Sequence, residues 1–171
     1  MKRLLLTALF AALALPAQAQ TVILVRHAEK ADQSADPVLS EAGQRRAGEL
    51  AVVVSDADLT HVLITPLQRT RLTALPAAEA QAISPEVISL DGGVDAHVAR
   101  VVERVRALPE DAVILVVGHS NTLRPIATAL GQTGPGDVQD CEYDRLTVIT
   151  VEADGDSPTV VSRYGETSVC A

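Results

Sequence analysis

Residues 113–122 have the sequence VILVVGHSNT, in which five apolar residues precede a glycine and a polar turn. An apolar, largely β-branched run without polar alternation is typical of a strand buried on both faces, as in a parallel sheet. The turn carries His119, and Asn121 opens a helical pattern that stops near Gly131. The sequence therefore predicts a strand over 113–117, an exposed polar turn and a helix.

The same alternation of strand and helix continues on both sides of this unit. Ser40 is the predicted N-cap of a helix over 41–54, and Thr65 with Pro66 is predicted to begin the next helix. Residues 94–108 place valines on one helical face before Pro109 ends the pattern. Further strands are predicted at 22–25, 62–64, 87–90, 146–151 and 159–161. This alternation predicts an α/β fold, a three-layer sandwich whose central sheet is mostly parallel and covered by helices on both faces.

The composition is that of one globular domain, predicted to span residues 20–171. Of the 171 residues, 47% are hydrophobic, 21% are charged and 2% are aromatic, and cores of ~100–200 residues commonly form one domain. The formal net charge is -8. Proteins that bind nucleic acid without sequence preference need a surplus of Lys and Arg. The charge therefore argues against that class, and any phosphate-binding site must be local.

The N-terminal residues 1–19 have the pattern of a signal peptide. Lys2 and Arg3 precede an apolar run over 4–15, and Ala17-Gln18-Ala19 resembles a cleavage site. The run is shorter than the roughly 20 residues that a transmembrane helix needs. The alternative is a buried N-terminal core helix, which the flanking charges disfavour. We predict a periplasmic or secreted protein, cleaved near Ala19, without a stable membrane anchor.

Two arginines and two histidines follow predicted strands directly. Arg26 and His27 follow the first strand, Arg69 comes shortly after the second, and His119 follows the fourth. Because functional crevices of open α/β sheets lie at the carboxyl ends of the strands, we expect these four side chains to converge at one edge of the sheet. The other two histidines are predicted to be solvated surface residues: His61 at the opposite end of its strand, and His97 on the third helix.

Such a cluster suits phosphoryl transfer. A guanidinium group binds two phosphate oxygens at once, through two parallel N–H donors. A neutral imidazole is a competent nucleophile toward phosphorus, and a second imidazole can donate a hydrogen bond to the phosphoryl oxygens. The structural alternative is that these residues only cap strands and form ion pairs. A serine-hydrolase elbow at Ser120 is disfavoured because Thr122 replaces the second glycine and no histidine follows. The histidines also lack the spacing of a zinc site.

Three motifs resemble those of the histidine phosphatase superfamily, which shares its fold with phosphoglycerate mutase. They are VRHAEK at 25–30, TPLQRTRLTA at 65–74 and VVGHSNT at 116–122, accompanied by the more generic LSEAGQRRA at 39–47 and by Tyr164-Gly165. The resemblance implies a phosphatase without metal or organic cofactor.

The resemblance also implies roles for single residues. His27 would be the phosphorylated nucleophile and His119 the second catalytic histidine, while Arg26 and Arg69 would bind phosphate. Ala28 replaces the glycine of the mutase branch, which favours a compact phosphatase that hydrolyses phosphomonoesters or phosphoramidates.

The general acid for the leaving group is the least determined residue of the implied site. The family usually takes a carboxylate from the segment before the third helix, where Asp91 is the first candidate and Asp95 the second. Members that act on good leaving groups can lack a dedicated acid, and Asp91 before two glycines would also suit a turn. If neither serves, Glu142 and Asp144 are the next carboxylates to consider.

Cys141 and Cys170 are the only cysteines. An even pair in an exported chain predicts a disulfide, although two free thiols remain the alternative. The overall prediction is a histidine phosphatase whose substrate is a small phosphorylated molecule or an exported phosphoprotein. A catalytically silent phosphate-binding protein on the same fold is the alternative. The substrate and the oligomeric state stay open.

Overall fold

Six strands form one central sheet in the computed structural model, which describes residues 19–133, 136–152 and 156–170. The strands are β1 (Gln20–Arg26), β2 (His61–Ile64), β3 (Glu86–Val87), β4 (Val113–Gly118), β5 (Arg145–Val151) and β6 (Thr159–Arg163). The predicted signal peptide lies outside the described residues except for its last residue, Ala19.

The sheet has the order β3-β2-β4-β1-β5-β6, with β4 and β1 at its centre. The first four strands of this order are parallel, whereas β5 runs antiparallel to β1 and β6 antiparallel to β5. The prediction of a mostly parallel sheet is therefore confirmed. The carboxyl ends of β2, β4 and β1 lie side by side at one edge.

In the described part of the chain two helices cover each face of the sheet, which confirms the predicted three layers. The helices are α1 (Glu41–Val53), α2 (Gln68–Ala80), α3 (Gly93–Arg106) and α4 (Ser120–Ala129). Alternate strand residues point to opposite faces. Val22 and Leu24 of β1 accordingly pack with α3 and α4, whereas Ile23 and Val25 pack with α1 and α2.

The predicted N-cap at Ser40 is confirmed. Its Oγ accepts a hydrogen bond of 3.1 Å from the backbone N–H of Gly43 in the first turn of α1. Gly43 is also required sterically, because a Cβ atom there would lie 2.3 Å from the carbonyl oxygen of Glu29. The start of α1 thus packs directly against the backbone that follows His27.

The predicted start of the second helix at Thr65 and Pro66 is wrong. Helix α2 begins at Gln68, whose backbone N–H donates to Oδ1 of Asp36 over 2.8 Å. The buried hydroxyl of Thr65 accepts from the backbone N–H of Leu67, just before the helix, over 3.4 Å. It is also hydrogen-bonded to Thr70 and His119. A carboxylate distant in sequence therefore accepts from the first turn instead.

The prediction that His97 is a solvated surface residue is also wrong. His97 is only 2% exposed and lies on the buried face of α3 with Val98 and Val101. Its Nδ1 forms a hydrogen bond of 3.0 Å with the carbonyl oxygen of Ser89, so the polar part of the ring is satisfied inside the protein. His61 is half-buried at the amino end of β2, far from the functional edge along that strand.

The third predicted strand is shorter than expected. Residues 87–90 were predicted to be extended, but β3 contains only Glu86 and Val87 and pairs with β2 alone. Cys141 and Cys170 form a disulfide with a Cα–Cα distance of 5.2 Å. None of the helices in the described ranges is long and apolar enough to cross a membrane.

Candidate active site

Three neighbouring strand ends bring the predicted site residues together. Arg26 ends β1 and His27 follows it, Thr65 follows β2, and His119 follows β4. The backbone N–H of His27 donates to the carbonyl oxygen of Gly118 over 2.9 Å, which continues the pairing of β1 with β4 to the site itself. The convergence predicted from parallel topology is therefore present.

His27 is buried with a defined tautomer. Its Nδ1 lies 2.8 Å from the carbonyl oxygen of Ala28. Because a carbonyl only accepts, Nδ1 carries the proton and Nε2 carries the lone pair. Burial, with the neighbouring charges of Arg26, Arg69 and Lys30, lowers the pKa of His27 to about 4, although the hydrogen bond to the carbonyl of Ala28 opposes the shift. The imidazole is thus neutral at pH 7, as a nucleophile must be.

His119 lies beside His27 and is buried as well. The two ring centres are 5.3 Å apart in an edge-to-face arrangement, and Nε2 of His119 forms a hydrogen bond of 3.1 Å with Oγ1 of Thr65. Burial, followed by the proximity of His27 and Arg69, lowers the pKa of His119 to about 3. A bound anion would raise this pKa, because an opposite charge nearby favours the protonated ring.

The backbone of His119 is fixed by the start of α4. Its N–H donates to Oγ1 of Thr122 over 3.0 Å, and the helix begins at the next residue, Ser120. The first N–H groups of a helix have no partners within the helix and favour anions. The second histidine and a helix N-terminus therefore face the same space.

Arg26 is 5% exposed and is held from one side by residues 139–143. Its Nη1 donates to the carbonyl oxygens of Gln139, over 3.0 Å, and of Asp140. The guanidinium carbon lies 4.2 Å from the centre of the Tyr143 ring. Burial is the main cause that lowers the pKa of Arg26, which remains far above neutrality for a guanidinium.

Both site arginines keep one buried donor without a partner. Within the described parts of the chain, Nε of Arg26 and Nε of Arg69 are buried and form no hydrogen bond. Arg69 lies in the first turn of α2, and its Nη1 donates to the carbonyl oxygen of Ala35 over 3.3 Å. Buried polar groups in proteins are nearly always hydrogen-bonded, so these two donors are exceptions, and both arginines belong to the cavity lining.

These residues line one cavity of about 530 Å³. Three cations, Arg26, Lys30 and Arg69, surround the two neutral histidines. Among the described residues, Asp140 is the one carboxylate in the lining, and it accepts from Ser120 over 2.5 Å. The hydrogen bond from Ser120 and the charge of Arg26 lower the pKa of Asp140, so it carries no proton to donate at pH 7. The cavity is cationic in an acidic protein and suits a phosphate group.

Metal coordination was disfavoured by the spacing of the histidines. Among the residues that the structure describes, no group of three or more His, Cys, Asp or Glu side chains is arranged to hold a metal ion.

The predicted general acid does not line this cavity. Asp91 is exposed beside it, and its carboxylate accepts from Oγ of Ser89 over 2.8 Å. Its neighbours Leu90 and Gly93 do contact the cavity, and Asp95 is exposed in the first turn of α3. The assignment of either carboxylate as the acid stays a prediction.

The reserve candidates Glu142 and Asp144 serve a different purpose. Glu142 is 5% exposed and accepts from Arg145 over 2.9 Å, and Asp144 is 1% exposed and accepts from Arg163 over 2.7 Å. Although burial opposes ionisation, these hydrogen bonds outweigh it and lower the pKa of both carboxyl groups. They are ionised structural partners, not proton donors.

The glutamate of VRHAEK is structural too. Glu29 forms a bidentate ion pair with the buried Arg46, with N–O distances from 2.7 to 3.0 Å. Arg46 also donates to the carbonyl oxygens of Tyr164 and Glu166. The generic LSEAGQRRA and Tyr164-Gly165 segments therefore serve to anchor the segment after His27.

Two residues and one contact of the site could not be found from the sequence. Lys30 lines the cavity and could have been suspected, because it closes the VRHAEK motif. Thr65 bonds to His119, but its hydroxyl suggested a helix cap instead. Tyr143 lies 6.1 Å from His27 between ring centres, and nothing in the local sequence places it there.

Comparison with known proteins agrees with this geometry. Residues 22–91 match the family model of the histidine phosphatase superfamily (branch 1). Phosphoserine phosphatase 1 of Hydrogenobacter thermophilus is 37% identical over 101 residues, covering 53% of this chain and 47% of that protein. The chain therefore spans about half the length of the curated relative that it matches.

Solved structures share the fold. Mycobacterial glucosyl-3-phosphoglycerate phosphatase superposes with a TM-score of 0.64 at 15% identity, covering 88% of this chain and 100% of that one. The protein histidine phosphatase SixA, solved with tungstate, superposes with a TM-score of 0.63 at 18% identity, covering 86% and 96%. At these identities the similarity establishes the architecture and leaves the substrate open.

Proposed function

We propose that the chain is a member of the histidine phosphatase superfamily and that it hydrolyses phosphomonoesters or phosphoramidates through a phosphohistidine on His27. One observation supports this most strongly. The guanidinium-bearing residues Arg26 and Arg69 line the same cavity as a neutral imidazole whose Nε2 carries the lone pair. Two donors for an anion and one nucleophile are what phosphoryl transfer to nitrogen requires.

The reaction has two steps. In the first, Nε2 of His27 attacks phosphorus, the N–P bond forms, and the bond from phosphorus to the leaving group breaks with its electron pair. In the second, water attacks the phosphohistidine, the N–P bond breaks and inorganic phosphate leaves. The water's proton returns to the general acid–base group, so the enzyme ends unchanged.

The arginines and His119 act on the transferred phosphoryl group. Its equatorial oxygens carry the charge of the transition state, so fixed donors there lower the barrier. Arg26 and Arg69 supply N–H groups, and the N-terminus of α4 lies at the same cavity. The phosphoryl dianion would raise the pKa of His119, so that this ring becomes a charged donor once substrate binds.

The proton for the leaving group is assigned to Asp91, with Asp95 as the second choice. The support is position: Leu90 and Gly93, on either side of Asp91 in sequence, contact the cavity. A modest movement of this exposed segment on substrate binding would bring the carboxylate to the leaving group. No metal or organic cofactor enters the scheme.

The substrate is proposed only as a class, a small phosphorylated molecule or an exported phosphoprotein. Relatives named for phosphoserine, glucosyl-3-phosphoglycerate and protein phosphohistidine support phosphatase chemistry but do not choose among these. We also propose export to the periplasm or the medium, supported by the basic and apolar start of the sequence and by the disulfide.

An assay over a panel of phosphomonoesters with EDTA present tests the proposal. The panel should include aryl phosphate, phosphoserine, a sugar phosphate and a phosphoramidate. We expect turnover that EDTA does not reduce. Phosphate binding without turnover of any member would instead support a catalytically silent binding protein.

A further inference from the structure

Residues 139–143 form a short segment that encloses the Arg26 guanidinium, and we call this segment the clamp. Two backbone carbonyls of the clamp, those of Gln139 and Asp140, accept from Nη1 of Arg26, and the Asp140 carboxylate lies 3.7 Å from Nη2. The Tyr143 ring lies under the guanidinium plane with 4.2 Å between the guanidinium carbon and the ring centre. The contacts reach Nη1, Nη2 and one face of the guanidinium, whereas Nε is buried without a hydrogen-bond partner among the described residues.

The clamp is fastened to the C-terminal residues at several points. Cys141, at its centre, is bonded to Cys170. Oγ of Ser168 accepts from the backbone N–H groups of Tyr143, over 2.8 Å, and of Asp144, over 3.1 Å. The backbone of Ser168 in turn donates to Oδ2 of Asp144 over 3.2 Å. The residues that hold Arg26 are thus held by residues 168–170, which do not touch the cavity.

The clamp restricts the side chain of Arg26, which would otherwise sample several rotamers. An arginine side chain carries about 2 kcal/mol of rotamer entropy, and a guanidinium must be fixed before substrate arrives to stabilise a transition state efficiently. Strand β1 fixes only the backbone of Arg26. The clamp fixes the guanidinium.

We propose that the clamp positions Arg26 for phosphate binding, with Tyr143 as the positioning residue and the Cys141–Cys170 disulfide as the bond that keeps the clamp closed. Tyr143 acts through its ring face and not through its hydroxyl, since a cation is attracted to the face of an aromatic ring. The proposal rests on the phosphatase function proposed above. Phosphate affinity provides a readout that does not depend on turnover.

The first experiment compares Tyr143→Leu with Tyr143→Phe. Inorganic phosphate binding is measured by calorimetry, and kcat and KM are measured with an aryl phosphate. We expect Tyr143→Leu to weaken phosphate binding and lower kcat/KM roughly tenfold, and Tyr143→Phe to stay within about twofold of the parent protein. Equal losses in both variants, or no loss in Tyr143→Leu, would overturn the proposal.

A double-mutant cycle separates positioning from general stability. If Tyr143 acts through Arg26, then Tyr143→Leu should cause no further loss of phosphate affinity in an Arg26→Ala background. If Tyr143→Leu weakens phosphate binding by the same factor in the Arg26→Ala background as in the parent protein, Tyr143 acts independently of Arg26. That outcome would contradict the proposed role.

Reduction tests the disulfide. A dithiol reductant gives two electrons and two protons, the Cys141–Cys170 bond becomes two thiols, and the reductant becomes its own cyclic disulfide. We expect phosphate affinity to fall severalfold on reduction. The matched control is the double variant Cys141→Ser/Cys170→Ser, which should already have the lower affinity and should not respond to reductant.

Circular dichroism accompanies each measurement, so that unfolding is recognised. If reduction unfolds the protein, the Tyr143 variants test the positioning of Arg26 instead, because these variants keep the disulfide. A reduced, folded protein with unchanged phosphate affinity would overturn the role of the disulfide. A parent protein that binds phosphate but turns over no substrate would refute the proposed function while leaving the clamp testable by affinity alone.

Discussion

The imidazole rings of His27 and His119 lie edge to face with their centres 5.3 Å apart, although they follow different strands. Parallel pairing of β1 with β4 makes this possible, because it aligns the two carboxyl ends, with Arg26 opposite Gly118. Burial keeps both rings neutral in the free protein. A phosphoryl group bound next to them would charge His119 and leave His27 as the nucleophile.

Replacing Arg69 by Lys should lower kcat/KM substantially, by about 10- to 100-fold, while the net charge stays the same. Lysine keeps the positive charge but lacks Nε–H and the planar fork that matches phosphate oxygens. Steady-state kinetics on one aryl phosphate measures the effect. The control is Arg71→Lys, because Arg71 lies two residues further along α2 and outside the cavity lining. This substitution should leave kcat/KM nearly unchanged. Parent-like kinetics for Arg69→Lys would mean that only its charge matters.

Asp91→Asn should separate good leaving groups from poor ones. A general acid matters most when the leaving group is poor, so we expect alkyl phosphate hydrolysis to slow by roughly 10²–10⁴-fold and aryl phosphate hydrolysis to change little. The matched control is Asp95→Asn. Equal effects of Asp91→Asn on both substrates would indicate a structural role in the turn with Ser89.

Stability should fall as the pH is lowered from about 6.5 toward 5. The folded protein holds His27 and His119 neutral, with pKa values lowered to about 4 and about 3. The unfolded chain binds protons on both near pH 6.5, so the unfolded state gains protons first and is favoured. Each histidine contributes a slope of at most about 1.4 kcal/mol per pH unit.

Urea unfolding at several pH values measures this slope. His27→Asn should reduce it over the same window, because one buried titrating group is removed. His61→Asn, at the opposite end of β2, is the control and should keep the steep slope. The same steepness in the His27→Asn protein would argue against a buried neutral His27.

Gly43→Ala should destabilise the protein by about 1–3 kcal/mol. The new Cβ would lie 2.3 Å from the carbonyl oxygen of Glu29, so the backbone just after His27 would have to move. Gly48→Ala is the matched control in the same helix. A Cβ at Gly48 meets nothing within 4 Å among the described residues. The Gly48→Ala substitution should therefore be neutral or stabilise the protein by up to about 1 kcal/mol. Similar stabilities for the two variants in urea unfolding would contradict the close packing.

The fold and the centre of the site could be predicted because they depend on local patterns. Apolar strand runs specify β1 and β4, and parallel topology then places Arg26, His27 and His119 at one edge without any knowledge of side-chain contacts. Ser40 follows the same logic, since a helix cap is decided by the residues next to it.

The sequence-based predictions fail where a hydrogen-bond partner distant in the sequence determines the role of a residue. The hydroxyl of Thr65 is directed to His119, and the carboxylate of Asp36 accepts from the first residue of α2. His97 has helical spacing from Val94 and Val101 and thus belongs to the apolar face, but its polarity suggested solvent. The carbonyl oxygen of Ser89 makes burial possible. No local pattern contains either partner.

The same limit applies to the clamp. Tyr143 reaches Arg26 only because residues 139–143 return to the end of β1 and because the disulfide fixes them there. The pairing of two cysteines could be predicted, whereas its position behind a site arginine could not.

Trapping the phosphoenzyme tests the central claim most directly. The protein is mixed with a ³²P-labelled substrate, quenched within milliseconds in alkali, digested and mapped. A phosphohistidine on His27 predicts label that is stable in alkali and lost in acid, confined to the peptide that contains His27 and absent from His27→Asn. Label on any other residue, or turnover by His27→Asn at the parent rate, would contradict the account.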